Sequence, residues 1–284
     1  MTDALTISGL KKTYPDFVLD GVSFSVPRGS IVGLIGENGA GKSTTISAAL
    51  GLIQTESGSV SVLGKEKLDH ETREQIGVVF DGNNFPENLS PCKISHVMRD
   101  IYRSWNDGTF LKLLEKFSVP ANKPVKQFSK GMKMKLAIAV ALSHDSRLLI
   151  LDEATSGLDP VVRDDILDLL LEFVQDETHS ILVSSHITSD LEKIADYIVF
   201  LHKGKVVFSK PKDELIEQYG ILKCGAAQFD ALDKADLIVC RKMDYEWQAL
   251  VANRDKIQKK YPKVLVVPAS IDEIMLLYVK GEAA

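Results

Sequence analysis

The chain is short of cysteine, of excess positive charge and of long apolar runs, and each shortage removes a class of function. Its three cysteines, Cys92, Cys224 and Cys240, lie far apart and form no CxxC pair. That argues against a structural zinc site or a disulfide framework and suits a reducing cytosol. Burial as small hydrophobes is their expected role. The formal charge of −5 offers no electrostatic footprint for nucleic acid, which is not expected as a partner. No stretch approaches the ~18 apolar residues of a membrane span, and runs such as Leu136–Leu142 suit buried helices instead. The opening MTDALTISGL has neither the charged lead nor the apolar block of a secretory signal, so none is expected. Work at a membrane would need a partner that spans it.

What is present is globular material: 284 residues, 45% apolar and 26% charged, enough for one large or two modest domains. Thr6–Tyr14 and Val18–Val26 read as strands around a Pro15-Asp16 turn. Ser30–Ile35 is an apolar run that meets a glycine-rich turn, and a helical pattern follows over Lys42–Ile53. Ser59–Leu63 and Gly77–Phe80 read as further strands. Pro91–Phe117 is helical, broken at Asn106-Asp107-Gly108, and Lys130–Ser143 is another helix. Arg147–Leu151, Pro160–Gln175, Ile181–Ser184 and Ile187–Ala195 then alternate strand and helix, which predicts a mostly parallel sheet covered by helices. Tyr197–Lys210 reads as a hairpin turning at Lys203-Gly204. After Tyr219-Gly220 the character changes to short strand-like runs with helical patches near Asn253–Lys260 and Ile271–Val279.

Gly36-Glu37-Asn38-Gly39-Ala40-Gly41-Lys42-Ser43 fits GxxxxGK[ST], after an apolar strand and at the start of a helix. Glycines let successive N–H groups converge on phosphate oxygens, and the helix N-terminus adds unpaired donors and a favourable dipole. Lys42 is expected to reach the β- and γ-phosphates of a nucleotide and the Ser43 hydroxyl to ligate Mg²⁺. Farther on, Leu148-Leu149-Ile150-Leu151-Asp152-Glu153 is four apolar residues followed by two carboxylates. A buried parallel strand would carry those acids to the carboxyl edge of the sheet, where ligands bind. Asp152 is the expected Mg²⁺ holder, and Glu153 the group that orients and polarises an attacking water. Alone, such a strand end serves as readily to reach solvent or cap a helix; the phosphate loop upstream favours the chemical reading.

In order, these residues resemble the ATP-binding cassette ATPases over about residues 4–220. Gly36–Thr44 looks like the family's Walker A and Leu148–Glu153 like its Walker B. Ser156-Gly157-Leu158-Asp159 is similar to the D-loop, His186 to the switch histidine, and Tyr14 stands where an aromatic stacks on adenine. Phe128-Ser129-Lys130-Gly131-Met132 lies where the family has LSGGQ, at a helix start. The resemblance implies that Ser129, Lys130 and Gly131 grip the γ-phosphate of ATP held by an opposite subunit. Two ATP molecules would then be buried between head-to-tail subunits, with Asp159 at the interface. Taken singly, Ser129 is as well read as a helix N-cap, Tyr14 as a strand residue and His186 as a structural histidine.

Two positions depart from the family pattern. Lys130 replaces the usual signature glycine, where it would add charge complementary to a triphosphate, and Met132 the usual glutamine. Asp81 stands where the family usually has a glutamine that contacts Mg²⁺. Its two readings are a shorter, charged metal ligand and the start of an Asp-Gly turn.

The implied architecture is an α/β P-loop NTPase. Residues 1–220 are expected to form the nucleotide-binding domain, with a RecA-like core, an antiparallel β subdomain and a helical subdomain at about 90–144. Residues 221–284 are expected to form a small C-terminal α+β domain. The implied function is that of an ATP-binding and ATP-hydrolysing subunit of a transporter of the bacterial exporter type. It would work as a homodimer at the inner face of the cell membrane, bound to a separate polytopic permease, with ATP and Mg²⁺ as cofactors. Two other readings compete. A soluble translation or DNA-repair ATPase would normally carry a second cassette or a long coiled-coil insertion. A non-catalytic nucleotide-dependent regulator would not need Glu153 and His186.

Overall fold

A computed structural model describes residues 3–82 and 84–283, so Asn83 of the Asp81–Asn84 turn lies outside the described residues. β1 (Leu5–Tyr14) and β2 (Phe17–Val26) form an antiparallel hairpin in which Tyr14 faces Phe17 across the Pro15–Asp16 turn. Their alternating residues bury one face: Leu5, Ile7 and Leu10 from one strand, Leu19, Val22 and Phe24 from the other. β3 (Ile31–Ile35) is buried at every residue, as a central strand covered on both faces must be. α1 (Lys42–Ala49) follows and stops short of the expected Ile53, where Gly51 takes φ +67°. β4 (Ser57–Val62) returns to pair with β1. Next come the short helix α2 (His70–Glu74), capped by Asp69, and β5 (Ile76–Val79). The sequence reading missed α2 because one turn carries no periodicity.

The expected helical block holds α3 (Pro91–Ile101), α4 (Asp107–Lys116) and α5 (Lys130–Ala141). The break falls slightly earlier than expected, over residues 102–106: Asn106 caps α4 by accepting from the Thr109 N–H at 2.9 Å, and Asp107 and Gly108 open that helix instead of interrupting it. Asp107 ties the two helices together, accepting from Ser95 Oγ at 2.6 Å, Arg99 at 2.6 Å and Trp105 Nε1 at 3.0 Å. Those donors, Ser95 foremost, hold its carboxyl down at about 2. Phe110 lies fully buried beneath them.

Strand and helix then alternate through β6 (Leu148–Asp152), α6 (Pro160–Phe173), β7 (Ser180–Ser185) and α7 (Thr188–Ile194). β8 (Tyr197–His202) and β9 (Lys205–Pro211) form the expected hairpin, and α8 (Lys212–Gln218) follows. Among the described residues, one six-stranded sheet runs β5-β6-β7-β3-β8-β9, parallel except for β9. A separate three-stranded antiparallel sheet runs β2-β1-β4.

From Gly220 the chain builds a third sheet from β10 (Gly220–Cys224), β11 (Val239–Lys242), β12 (Trp247–Val251), β13 (Leu265–Pro268) and β14 (Glu282–Ala283). It is antiparallel throughout, in the order β13-β10-β12-β11-β14. Helices α9 (Ala226–Asp230), α10 (Arg254–Lys260) and α11 (Ile271–Lys280) accompany it. The period of two splits its burial. Leu222, Ala249 and Cys240 face a local core with Phe229 and Ile257, whereas Ile221, Leu250 and Val239 join the main core through α11. Cys224 and Cys240 are buried and Cys92 partly so, as expected of small hydrophobes.

Candidate active site

Four parallel strands bring the chemistry to one edge of the six-stranded sheet. β3 runs into the glycine-rich loop, β6 ends at Asp152, β7 ends one residue before His186, and β5 ends two residues before Asp81. This is the carboxyl edge, where open α/β sheets hold ligands.

The loop is shaped by close approach. Gly41 takes φ +108°, and a Cβ there would meet the Phe17 ring at 2.7 Å. Gly36 passes so near the Leu201 carbonyl that a Cβ would lie 2.4 Å from its oxygen. Gly204 in the β8–β9 turn donates to the Ala40 carbonyl at 3.0 Å and fixes the loop from the side. Gly41 opens α1 without a side-chain cap, so the first N–H groups of the helix keep their capacity for an anion. Lys42 is buried, donating to the carbonyls of Gly36 at 2.8 Å and Glu37 at 3.2 Å. The loop walls a cavity of about 320 Å³ that Phe17, Asn38, Gly39, Ser43, Thr44 and Glu153 also line.

Glu153 sits at φ +54°, a left-handed backbone that costs a non-glycine residue about 1 kcal/mol. Its N–H donates to the carbonyl and the hydroxyl oxygen of Ser184, each at 3.1 Å. So turned, the carboxylate lies 3.2 Å from Lys42 Nζ on one side and 2.5 Å from His186 Nδ1 on the other. An ionised carboxylate only accepts, so His186 donates from Nδ1 and keeps Nε2 as acceptor in its neutral form. Asp152, 7% exposed, accepts from the Ser184 hydroxyl at 2.5 Å. One serine therefore orients both acids.

The other expected residues lie elsewhere. Tyr14 ends β1 half-exposed beneath the Lys12 ammonium, 5.6 Å from its ring centre, and its cross-strand neighbour Phe17 is the aromatic on the cavity wall. Ser129 caps α5, accepting from the Met132 N–H at 3.2 Å, and Asp159 caps α6, accepting from the Val162 N–H at 3.0 Å. Among the described residues, neither these nor Asp81, Lys130 or Gly131 line the phosphate-loop cavity. Asp81 and Lys130 share a second cavity, of about 310 Å³, with Gly82, Phe128 and Lys133.

Sequence reasoning assigns no role to Ser184 or Phe17. A serine directly after the apolar Ile181-Leu182-Val183 run of β7, two residues before His186, was the available signal for the first. An aromatic directly across a tight turn from Tyr14 was the signal for the second.

The ABC transporter family model matches residues 19–156. The lantibiotic transport ATP-binding protein SrtF of Streptococcus pyogenes is 38% identical over 212 residues, which cover 74% of this chain and 91% of its own length. The chain belongs to the ABC transporter ATP-binding proteins. A second ABC relative, the Nod factor export ATP-binding protein I of Ralstonia nicotianae, is 31% identical over 77% of this chain and 71% of its own. Among solved structures, an ATP-binding subunit of an ABC transporter superposes with a TM-score of 0.68 at 30% identity, covering 75% of this chain and 91% of its own. As an ABC subunit, the chain binds and hydrolyses ATP, and its α/β architecture is the family's P-loop NTPase fold.

Proposed function

We propose that this subunit powers export through a separate polytopic membrane protein, as a homodimer that grips two ATP molecules at its interface. The observation that carries this is the division of the machinery. Lys42 and Glu153 line one cavity, with His186 bonded to Glu153 behind it, while the start of α5 that would complete a phosphate cage lies off that cavity. A second copy turned head to tail would supply the Ser129 hydroxyl and the N–H groups at that helix start. Val161, 72% exposed beside Asp159, is an apolar residue that such an interface would cover.

Within each site, Lys42 would hold the terminal phosphates, Phe17 and Tyr14 would flank the base, and Glu153 would orient the attacking water and accept its proton. His186, donating from Nδ1, keeps the Glu153 carboxylate in place. Mg²⁺ suits the residues present. Ser43 and Asp152 are hard oxygen donors, few in number, as fits a cation that keeps several waters and phosphate oxygens. No cluster of three His, Cys, Asp or Glu side chains offers a rival metal site among the described residues. When bound, the ion would neutralise charge developing on the phosphates.

The permease is proposed to seat an amphipathic helix in an apolar groove of about 340 Å³. Leu50, Leu68, Val78, Phe80 and Ile101 line it, with Arg73 and Glu74 among the polar residues there. That contact would hold the chain at the inner face of the membrane; no helix among the described residues is long and apolar enough to cross one. Export is favoured by the relatives, whose names refer to lantibiotic transport and Nod factor export.

Light scattering of the purified Glu153→Gln chain tests the dimer: ATP is expected to drive it from monomer to dimer, and a monomer at saturating ATP would refute the reading. Direction is tested in inside-out vesicles holding the co-purified permease. ATP-driven accumulation of cargo inside supports export, and ATP-driven release from loaded vesicles opposes it.

A further inference from the structure

The two positions that depart from the family pattern meet each other. Lys130 Nζ lies 3.4 Å from Asp81 Oδ1. The turn after β5 is closed by Asn84, whose side chain accepts from the Phe80 N–H at 3.3 Å and donates to the carbonyls of Phe80 at 3.0 Å and Gly82 at 3.3 Å. The Asp81 carboxylate on this turn pairs with the lysine. Lys130 also reaches a third segment, since a Cβ built on Gly157 would lie 3.3 Å from its ammonium. One charge thus touches the loop after β5, the start of α5 and the loop that leads to Asp159. The next cation on this face, Lys133, is engaged by Glu87 at 3.2 Å. Both Asp81 and Lys130 are about half exposed, so their pairing is worth at most about five-fold in an equilibrium constant.

We propose that Asp81 competes for the Lys130 ammonium with the terminal phosphate of ATP held by a second copy. This rests on the head-to-tail reading above. A phosphate terminus offers more negative charge and more acceptor oxygens than one carboxylate, and closure of the interface strengthens the attraction by excluding water. ATP in one subunit therefore draws Lys130 of the other off Asp81, and loss of the cleaved phosphate returns it. The loop after β5 gains and loses a partner with the nucleotide state of the opposite site. No bond to phosphorus is made or broken in this exchange.

The test is a double-mutant cycle on the full-length chain carrying Glu153→Gln, reading the ATP concentration that half-saturates dimerisation. Asp81→Asn is expected to lower that concentration by up to about five-fold. Lys130→Met is expected to raise it roughly ten-fold, and the double variant to match Lys130→Met alone. If Lys130→Met does not fold, Lys130→Gln takes its place in the cycle. An Asp81→Asn shift that is absent, or that survives undiminished without the lysine, overturns the exchange while leaving the dimer intact. Failure of the Glu153→Gln parent to dimerise removes both readings, so the two failures are told apart.

Discussion

Lys42 and Lys130 each open a helix, yet they are held in opposite ways. Lys42, at the head of α1, is 5% exposed and has three oxygens within 3.2 Å, from Gly36, Glu37 and Glu153. Lys130, at the head of α5, is 49% exposed and has one carboxylate at 3.4 Å. The same side chain at the same helical position is a fixed part of a cradle in one case and an exchangeable contact in the other. What differs is the supporting shell. The loop before α1 is pinned by Gly204 and by close glycine packing, whereas the start of α5 is held by the Ser129 cap. Preorganised groups suit chemistry because they need not rearrange at the moment of reaction, and loosely held charges suit a surface that opens and closes.

The sharpest way to break this contrast is at Glu153, which joins the cradle to His186. Glu153→Gln is expected to lower steady-state phosphate release about 10²–10⁴-fold; a loss below ten-fold would demote Glu153 to a spectator. Next in size is Ser184→Ala, which strips a donor from buried Asp152 and an acceptor from the Glu153 N–H. Urea unfolding should show a loss of about 1–3 kcal/mol, together with slower turnover as both acids lose their orientation. On the loosely held side, Ser129→Ala removes the cap of α5 and should cost about 1 kcal/mol by the same measurement. Weakening of ATP-driven dimerisation beyond that figure would reveal the separate role of the hydroxyl.

The smallest effect concerns acid. Asp107 titrates at about 2 in the folded chain, below the ~3.9 of an unfolded aspartate. Its contribution to stability is therefore complete above about pH 4 and is lost as pH falls toward 2. Unfolding midpoints measured across pH 5 to 2 should drop less steeply in Asp107→Asn than in the parent chain.

Local pattern made much of this legible. GxxxxGK[ST] after an apolar strand announces its own geometry, and the acids at the end of β6 follow from four buried residues before them. The hairpin at Lys203-Gly204 and the helix start capped by Asn106 are likewise local. Contacts between distant segments were not legible. Asp81 and Lys130 are 49 positions apart (130 − 81), and nothing near either one specifies the other. Phe17 reaches the cavity because Gly41 has no side chain to exclude it, a fact written in two separate places. The order β13-β10-β12-β11-β14 also escapes local reading, because short strands with alternating burial accept several neighbours until the whole sheet is assembled.

The last helix gives the C-terminal region a duty toward the rest of the chain. α11 lays Tyr278 against Phe200 and Phe208, with ring centres 5.9 and 5.8 Å apart, and its first N–H is anchored at 2.9 Å by Glu192 of α7. α7 begins two residues after His186. Shortening the protein at Tyr219–Gly220 would therefore uncover an aromatic seam and unbrace the helix that follows His186. What looks in the chain like a detachable tail is, in space, a buttress behind the reaction centre.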